Sequence, residues 1–488
     1  MQPSSKWLVA LAWLPACGSA SSGPQAPVEP ADATATDGAT IEAGDRATPS
    51  VDGGAVDAAP LQAEAATDGA AEAAADGATD GPACGAGDLS CGCANACASS
   101  LCTAVDGGFA CGAAIAVAAA GAETAFAVLA DGTIRAWGNG GSLLGTGDSM
   151  APSTGTPRPV TGITTAQGIA AGQASACALL SGGTVACWGD NSYGQLGTDP
   201  TVTASSATPI AVTGLSDAIA IAAGAVHACA LISGGTVECW GSNDFGELGN
   251  TLTTSCNGGT DKCSAAPVPV TGLTGVTALA IGGYDEYEDH TCALLSNGTV
   301  QCWGDDGYGQ LGNGSTPTSS PDSKPVTVST FTDGIAIASA SDTSCAILSG
   351  GAVMCWGSNA SGALGGGTAT DSTTPVTVQN VTDAVSLSVG PLSNTFCAIR
   401  ANGTAVCWGQ GYSGEVGTGD SGASGPLSSP PVALGGVTGV SAIAFGPVFA
   451  CGLLMNGSVD TWGADGFDEL GRPAASQVYN PTPSSVAW

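Results

Sequence analysis

Ten cysteines stand in five pairs with a constant spacing of ten residues: Cys177 and Cys187, Cys229 and Cys239, Cys292 and Cys302, Cys345 and Cys355, Cys397 and Cys407. A repeated pair of thiols is redox chemistry before it is anything else. In an exported chain such spacing reads as disulfides rather than catalysis. Cys256 and Cys263 close a smaller loop by the same chemistry. Six more, Cys84, Cys91, Cys93, Cys97, Cys102 and Cys111, read as a small disulfide knot; a metal cluster is disfavoured because no histidine lies nearby. Six cysteines allow fifteen pairings, which stay open. Cys451 is left over, facing Thr461, and is expected to be a buried free thiol.

Other residues with chemical potential are few. His227 and His290 are the only histidines. Each stands thirteen residues before a tryptophan, at a strand start, where a structural hydrogen-bonding role is expected rather than catalysis or metal binding. Gly419-Asp420-Ser421-Gly422 mimics a serine-protease nucleophile motif, but no matching histidine arrangement accompanies it. Gly365-Gly366-Gly367 lacks the lysine and helix of a phosphate loop. The denser signal is the row Tyr284, Asp285, Glu286, Tyr287, Glu288 and Asp289. Its bland reading is a solvated loop. Its functional reading is a binding rim, with tyrosines as anchors and carboxylates for a basic partner or Ca²⁺.

The elements that carry these residues repeat. A Trp-Gly followed about eight residues later by Leu-Gly, or its near equivalent, begins at Trp137, Trp188, Trp240, Trp303, Trp356, Trp408 and Trp462. A period of about fifty residues with strand-like content marks an array of one supersecondary unit. One unit reads as four short strands: Gly168–Ala171, Cys177–Leu180, Thr184–Trp188 and a fourth near Pro209–Val212, divided by Gly, Pro, Ser and Asn clusters. Seven such units predict an all-β fold, a seven-bladed propeller of four-stranded blades over residues 112–488. The cysteines decide the hairpin between the second and third strands. A two-residue turn at Gly182-Gly183 would put Cys177 and Cys187 on opposite faces. A three-residue loop sets them directly opposite, with Cα atoms about 4.5–5.5 Å apart. Blade 1 has Phe126 and Ala136 at these two positions.

Strands a–b and c–d connect at one end of each blade, so the row 284–289 and the loop holding Cys256 and Cys263 share a face on neighbouring blades. Pro-Val-like strands recur at Pro159, Pro209, Pro269, Pro325, Pro375 and Pro431, and none precedes Ile115. The strand near 482–488 is therefore expected to complete a sheet with the N-terminal strand around 113–120 and close the ring.

Composition limits the partners. Eight Lys and Arg against 41 Asp and Glu give a net charge of −33 over 488 residues. Phosphate is repelled, so nucleic acid is not an expected partner, and anionic membrane surfaces are disfavoured. Residues 1–16 form a short apolar leader after Lys6, too short to span a bilayer. Leu14-Pro15-Ala16-Cys17 resembles a bacterial lipobox, which would make Cys17 a lipidation site; an ordinary cleaved signal stays open because Pro15 is unusual there. Residues 17–83, rich in Ala, Gly and Asp and poor in large apolar groups, read as a disordered acidic tether. A small cysteine module, 84–111, follows it.

The stretch Val226-His227-Ala228-Cys229-Ala230-Leu231, then Gly235-Thr236-Val237, then Trp240-Gly241-Ser242-Asn243-Asp244-Phe245-Gly246-Glu247-Leu248-Gly249 resembles the regulator-of-chromosome-condensation repeat family. The resemblance covers about 375 residues in seven copies. It implies a seven-bladed propeller and leaves function wide, since the family spans a nuclear exchange factor, a photoreceptor and a secreted β-lactamase inhibitor. Export, disulfides and acidity depart from the nuclear member, so no exchange-factor residues are carried over. The expectation is a monomeric, non-enzymatic, protein- or ligand-binding scaffold without cofactor or metal. Its membrane link would be a lipid anchor at the outer membrane or cell surface, with the periplasm as the alternative location. Inhibition of an extracellular enzyme is the second reading, and nucleotide exchange the third.

Overall fold

The computed structural model describes residues 102–105, 108–111, 114–120, 123–252, 254–256, 261–283, 289–316, 318–390, 394–419, 428–446, 448–471 and 479–486. The leader with Cys17, the 17–83 segment and the first four cysteines of the knot lie outside them. A two-stranded hairpin, Cys102–Val105 with Gly108–Cys111, sets Cys102 opposite Cys111 in its backbone register. Among the described residues no helix is long and apolar enough to cross a membrane.

Seven four-stranded antiparallel sheets follow in chain order. They span 114–159, 166–211, 218–269, 276–327, 334–377, 384–433 and 440–485. In each, strand a is innermost and strand d outermost, and b and c lie between. Blade 2, for example, runs Ala166–Ala171, Ser175–Leu180, Val185–Asp190 and Ser205–Ala211. Each a strand contacts the a strands of both neighbouring blades, and Val440–Phe445 contacts Ala114–Ala120, so the sheets form a closed ring.

The hairpin chemistry follows from the sequence. Leu180 N donates to Thr184 O at 2.8 Å and Gly183 N to Leu180 O at 3.1 Å, which makes 181–183 a three-residue loop. Its last residue takes a positive φ of 75°, and a Cβ there would lie 2.7 Å from Asp217 Cα, so glycine is required twice over. That loop sets Cys177 directly opposite Cys187. The same register sets Cys229 opposite Cys239, Cys292 opposite Cys302, Cys345 opposite Cys355 and Cys397 opposite Cys407. All five pairs are bonded: Cys177 to Cys187, Cys229 to Cys239, Cys292 to Cys302, Cys345 to Cys355 and Cys397 to Cys407. Their Cα atoms stand 4.0 Å apart in every pair, somewhat closer than strand pairing alone sets. Cys256 is bonded to Cys263. Cys451 forms no disulfide and is buried opposite Thr461. Phe126 faces Ala136 in blade 1, and its ring meets Trp188 edge-on at 5.8 Å.

The core is divided among the seven blade interfaces. Each tryptophan of the repeated phrase is fully buried against the preceding blade. Burying an indole removes roughly 150–250 Å² from water, on the order of 4–6 kcal/mol of hydrophobic stabilisation. The indole N–H is satisfied as well. It donates to a backbone carbonyl in the preceding blade's c–d turn: Trp188 to Leu143, Trp240 to Gln195, Trp303 to Glu247, Trp356 to Gln310, Trp408 to Ala363 and Trp462 to Glu415, at 2.8–2.9 Å.

The seventh bond corrects the expected closure. Trp137 Nε1 donates to Glu469 O at 2.9 Å across 332 residues. The C-terminal strand, Tyr479–Ser485, does not pair with Ala114–Ala120. It is strand d of blade 7, with Asp460 opposite Ser485. Ala114–Ala120 is strand a of a blade completed by Thr154–Pro159. The reason is phase: each Pro-Val-like strand closes the blade of the tryptophan before it, so seven copies make seven whole sheets and none lacks a strand. The ring is closed by Trp137, by Ala114 N donating to Gly457 O at 2.9 Å, and by an interface core holding Leu470, Phe449 and Cys451 against Ala125 and Trp137.

Each staple closes a loop of about ten residues, which restricts the unfolded chain. The double variant Cys345→Ala with Cys355→Ala is expected to lose about 2–3 kcal/mol of unfolding free energy in guanidinium titrations. An unchanged midpoint and slope would show that this staple adds nothing to stability.

Candidate functional site

The repeated phrase after each tryptophan is a turn-building device, and it decides what the c–d end of the ring can present. In blade 2, Gly189 takes a φ of 105°, and a Cβ there would lie 2.2 Å from Ala174 O. Asn191 is fully buried; its Oδ1 accepts from Leu196 N at 2.8 Å and its Nδ2 donates to Thr203 O at 2.7 Å. Gln195 Oε1 accepts from Tyr193 N at 2.9 Å, and Gln195 Nε2 donates to Asp190 Oδ2 at 2.8 Å. Asn243, Asp306, Asn359 and Asp465 accept from Leu248, Leu311, Leu364 and Leu470 in the same way. The turn is thus pinned at its base by side-chain bonds and by the next blade's indole, while its tip stays outside.

Glutamate replaces glutamine at this position in three blades. Glu247 accepts from Ser242 Oγ and Phe245 N, Glu415 from Ser413 N, and Glu469 from Gly466 N and Phe467 N. Burial disfavours their ionised forms: Glu247 and Glu415 are pushed up to about 7, and Glu469 is raised. These carboxyls accept from their own turns, and the shifts report burial there.

The two histidines bridge blades. His227 Nδ1 donates to Asp289 Oδ2 at 2.8 Å, and its Nε2 lies 2.9 Å from Thr291 Oγ1. Thr291 Oγ1 donates to Glu247 O at 3.3 Å, the carbonyl that also accepts from Trp303. A threonine, a histidine and an aspartate in this order mimic a hydrolase triad. Here all three are buried, with Thr291 and Asp289 at 0% exposure, so no substrate carbonyl can reach the hydroxyl. His290 Nε2 lies 2.7 Å from Ser344 Oγ of blade 5, and burial, with the charge of His227 second, pushes it down to about 3, so it is neutral. Both histidines make the structural hydrogen bonds expected of them.

The acidic row is divided by this geometry. Asp289 is buried beneath the face as the partner of His227, so it is not part of a solvent-facing rim. Its spacing within the row carried no sign of a partner 62 residues away. Tyr284, Asp285, Glu286, Tyr287 and Glu288 lie outside the described residues. The neighbouring loop closed by Cys256 and Cys263 packs on the blade 2 turn, Cys256 Sγ lying 3.3 Å from Tyr193 O.

A second feature of this face emerges from aligning the phrases on tryptophan. The fifth residue after it is Tyr193, Phe245, Tyr308 and Phe467 in blades 2, 3, 4 and 7, and the fourth is Tyr412 in blade 6. Tyr308, Tyr412 and Phe467 are 40%, 50% and 39% exposed, and Tyr193 and Phe245 are half-buried. Among the residues with described side chains, every tyrosine or phenylalanine that reaches solvent is one of these five. Reading the phrase for packing alone passes over them, because they are the part of it that does not pack.

Seven complete blades, each making one such indole bond to the blade before it and carrying variable side chains on its turn tips, define a seven-bladed β-propeller. The chain belongs to the RCC1-like domain family, whose model matches residues 83–442. It is 30% identical over 256 residues to the ultraviolet-B receptor UVR8 of Arabidopsis thaliana, covering 52% of this chain and 55% of the receptor. It is 28% identical over 308 residues to the human E3 ubiquitin-protein ligase HERC2, covering 61% of this chain and 6% of the ligase. The chain thus spans little more than half of the first relative and a small part of the second. Among solved structures, yeast RCC1 (Prp20) in complex with Kap60 superposes with a TM-score of 0.60 at 21% identity, over 72% of this chain and 83% of that one. Human WBSCR16 gives a TM-score of 0.60 at 20% identity, over 73% and 95%. At these identities the likeness is one of fold.

The buried glutamates make a pH test. A carboxyl whose folded value lies above its unfolded one favours the fold most below about 4.5, and that contribution is lost as pH rises to about 7. Glu415→Gln, which installs the residue native to blades 2 and 4, is expected to remove about 3 kcal/mol of stability loss across that window. Denaturation at pH 4.5 and pH 8 checks it; identical pH slopes for variant and wild type would refute the assignment.

Proposed function

We propose that the chain is a non-catalytic, protein-binding scaffold carried outside a bacterial cell. In this reading its leader and Cys17 give a membrane anchor, residues 17–83 a tether, and the c–d face of the ring the binding surface. One observation carries the reading: solvent-reaching aromatic rings are gathered on the c–d turns, and such rings anchor protein interfaces. A further fact supports it. The titratable groups with large shifts, Glu247, Glu415 and His290, are buried turn and interface elements rather than lining for a substrate. Membership of the RCC1-like family favours protein partners in general. The export leader and the charge of −33 speak against a GTPase exchange role at chromatin.

Site-specific photocrosslinking in the native host tests the face. A crosslinking amino acid at Tyr308, Tyr412 or Phe467 is expected to give discrete higher-mass adducts, and one at Met455 or Ile219, on the opposite end of the blades, is not. Equal adducts from both ends, or adducts only from Met455 and Ile219, would contradict the reading.

A further inference from the structure

Charge is distributed unevenly between the two ends of the ring. Arg135, Arg158 and Arg400 lie toward the b–c end, at the start of a c strand, the end of a d strand and the end of a b strand. Arg400 is already engaged there, its Nε 3.3 Å from Asp383 Oδ1 and its guanidinium donating to Asn380 O at 3.0 Å. In the c–d connections Lys262 is the one cation among the described residues, and Lys324 stands on strand d of blade 4, next to Ser323 at the blade 3 turn. The carboxylates there flank the aromatic tips: Asp190 before Tyr193, Asp244 beside Phe245, Asp465 and Asp468 on either side of Phe467.

These carboxylates are held in place. Asp190 accepts from Ser192 N and Oγ at 3.1 and 3.0 Å, and Asp244 from Lys262 N at 2.7 Å. A carboxylate beside a solvent-reaching ring, present on the pinned turns of blades 2, 3 and 7, is matched to a cation. The ring face attracts ammonium or guanidinium through its quadrupole, the aliphatic stem packs on the ring, and the carboxylate completes the pair. Anionic partners meet repulsion at the same surface, and uncharged apolar ones leave the carboxylates desolvated. A cluster of acids alone would carry nothing; it is the confinement of all described exposed aromatic rings to the same turns that gives the charge a geometry.

We propose that the c–d face binds a lysine- or arginine-rich polypeptide segment, with Tyr308, Tyr412 and Phe467 as the principal contacts and Tyr193 and Phe245 as flanking ones. The proposal rests on the protein-binding reading above and names the chemistry of the partner. The surface steers such a segment at long range through the net charge and discriminates at short range through the rings.

The test uses the full, oxidised chain and fluorescein-labelled octalysine and octaarginine peptides, with octaglutamate and a neutral Gly-Ser octamer as controls. Anisotropy is read at about 0.15 M salt, where the Debye length is ~8 Å and diffuse attraction is largely screened. Wild type is expected to bind both cationic peptides and neither control. The triple variant Tyr308→Ser, Tyr412→Ser and Phe467→Ser, of unchanged net charge, is expected to bind them at least about tenfold more weakly. The opposite-end variant Ile219→Ser, Ile335→Ser and Val385→Ser is expected to bind as wild type, which separates a lost contact from a lost fold. Equal binding by wild type and the aromatic triple variant would mean charge attraction alone and overturn the proposal, as would no binding by wild type. Photocrosslinked partners that prove acidic or uncharged would overturn it too while leaving the scaffold reading standing.

Discussion

One hydrogen bond repeated seven times organises this molecule: an indole N–H of one blade on the backbone carbonyl of the preceding c–d turn. Four-stranded sheets standing radially share no strand ladder; single backbone bonds cross near their ends, as from Ala166 N to Gly132 O and from Ala114 N to Gly457 O, and side chains must fill the faces between. Tryptophan does both parts of that task, filling the interface with a large apolar ring and placing one donor where a turn carbonyl would otherwise be buried without a partner. The second glycine of the phrase follows from the same contact. At Gly249 and Gly312 a Cβ would approach the next blade's indole to 3.0 and 2.6 Å, so the Leu-Gly half of the phrase is the socket for the Trp-Gly half of the next.

Because the bond starts from a side chain and ends on a backbone carbonyl, the socket residue can vary without losing the contact. Leu143, Gln195, Glu247, Gln310, Ala363, Glu415 and Glu469 all serve. The same freedom lets blades 3 and 4 add the link from His227 to Asp289 and Thr291, which converges on the Glu247 carbonyl. It also leaves the turn tips unconstrained. Turns held from below present their aromatic tips with little conformational entropy left to lose in a contact.

The architecture was legible in the chain because its determinants are local or periodic. The ten-residue cysteine spacing specified the three-residue hairpin, since register and sulfur facing are coupled by the two-residue period of a strand. The count of tryptophans specified the number of blades. Closure was not legible, because a Pro-Val strand can be assigned to the blade before or after it, and only the partner register of Asp460 with Ser485 decides. Asp289 was not legible either. As one of four carboxylates in a row it resembles a solvated loop residue, and its burial depends on His227 of another blade. The aromatic tips were present in the sequence but carried no pattern until the turns showed which position of the phrase points outward.

The central claim is that the seam between blades 7 and 1 is closed by the same interaction as the other six, without a shared sheet. Hydrogen exchange of the seven indole N–H groups, resolved by NMR after selective tryptophan labelling, measures this directly. If the claim holds, all seven exchange with one free energy, that of global unfolding, and Trp137 is indistinguishable from the rest. Exchange of the Trp137 indole at a distinctly lower free energy than the other six would contradict it, showing a ring that opens at its ends.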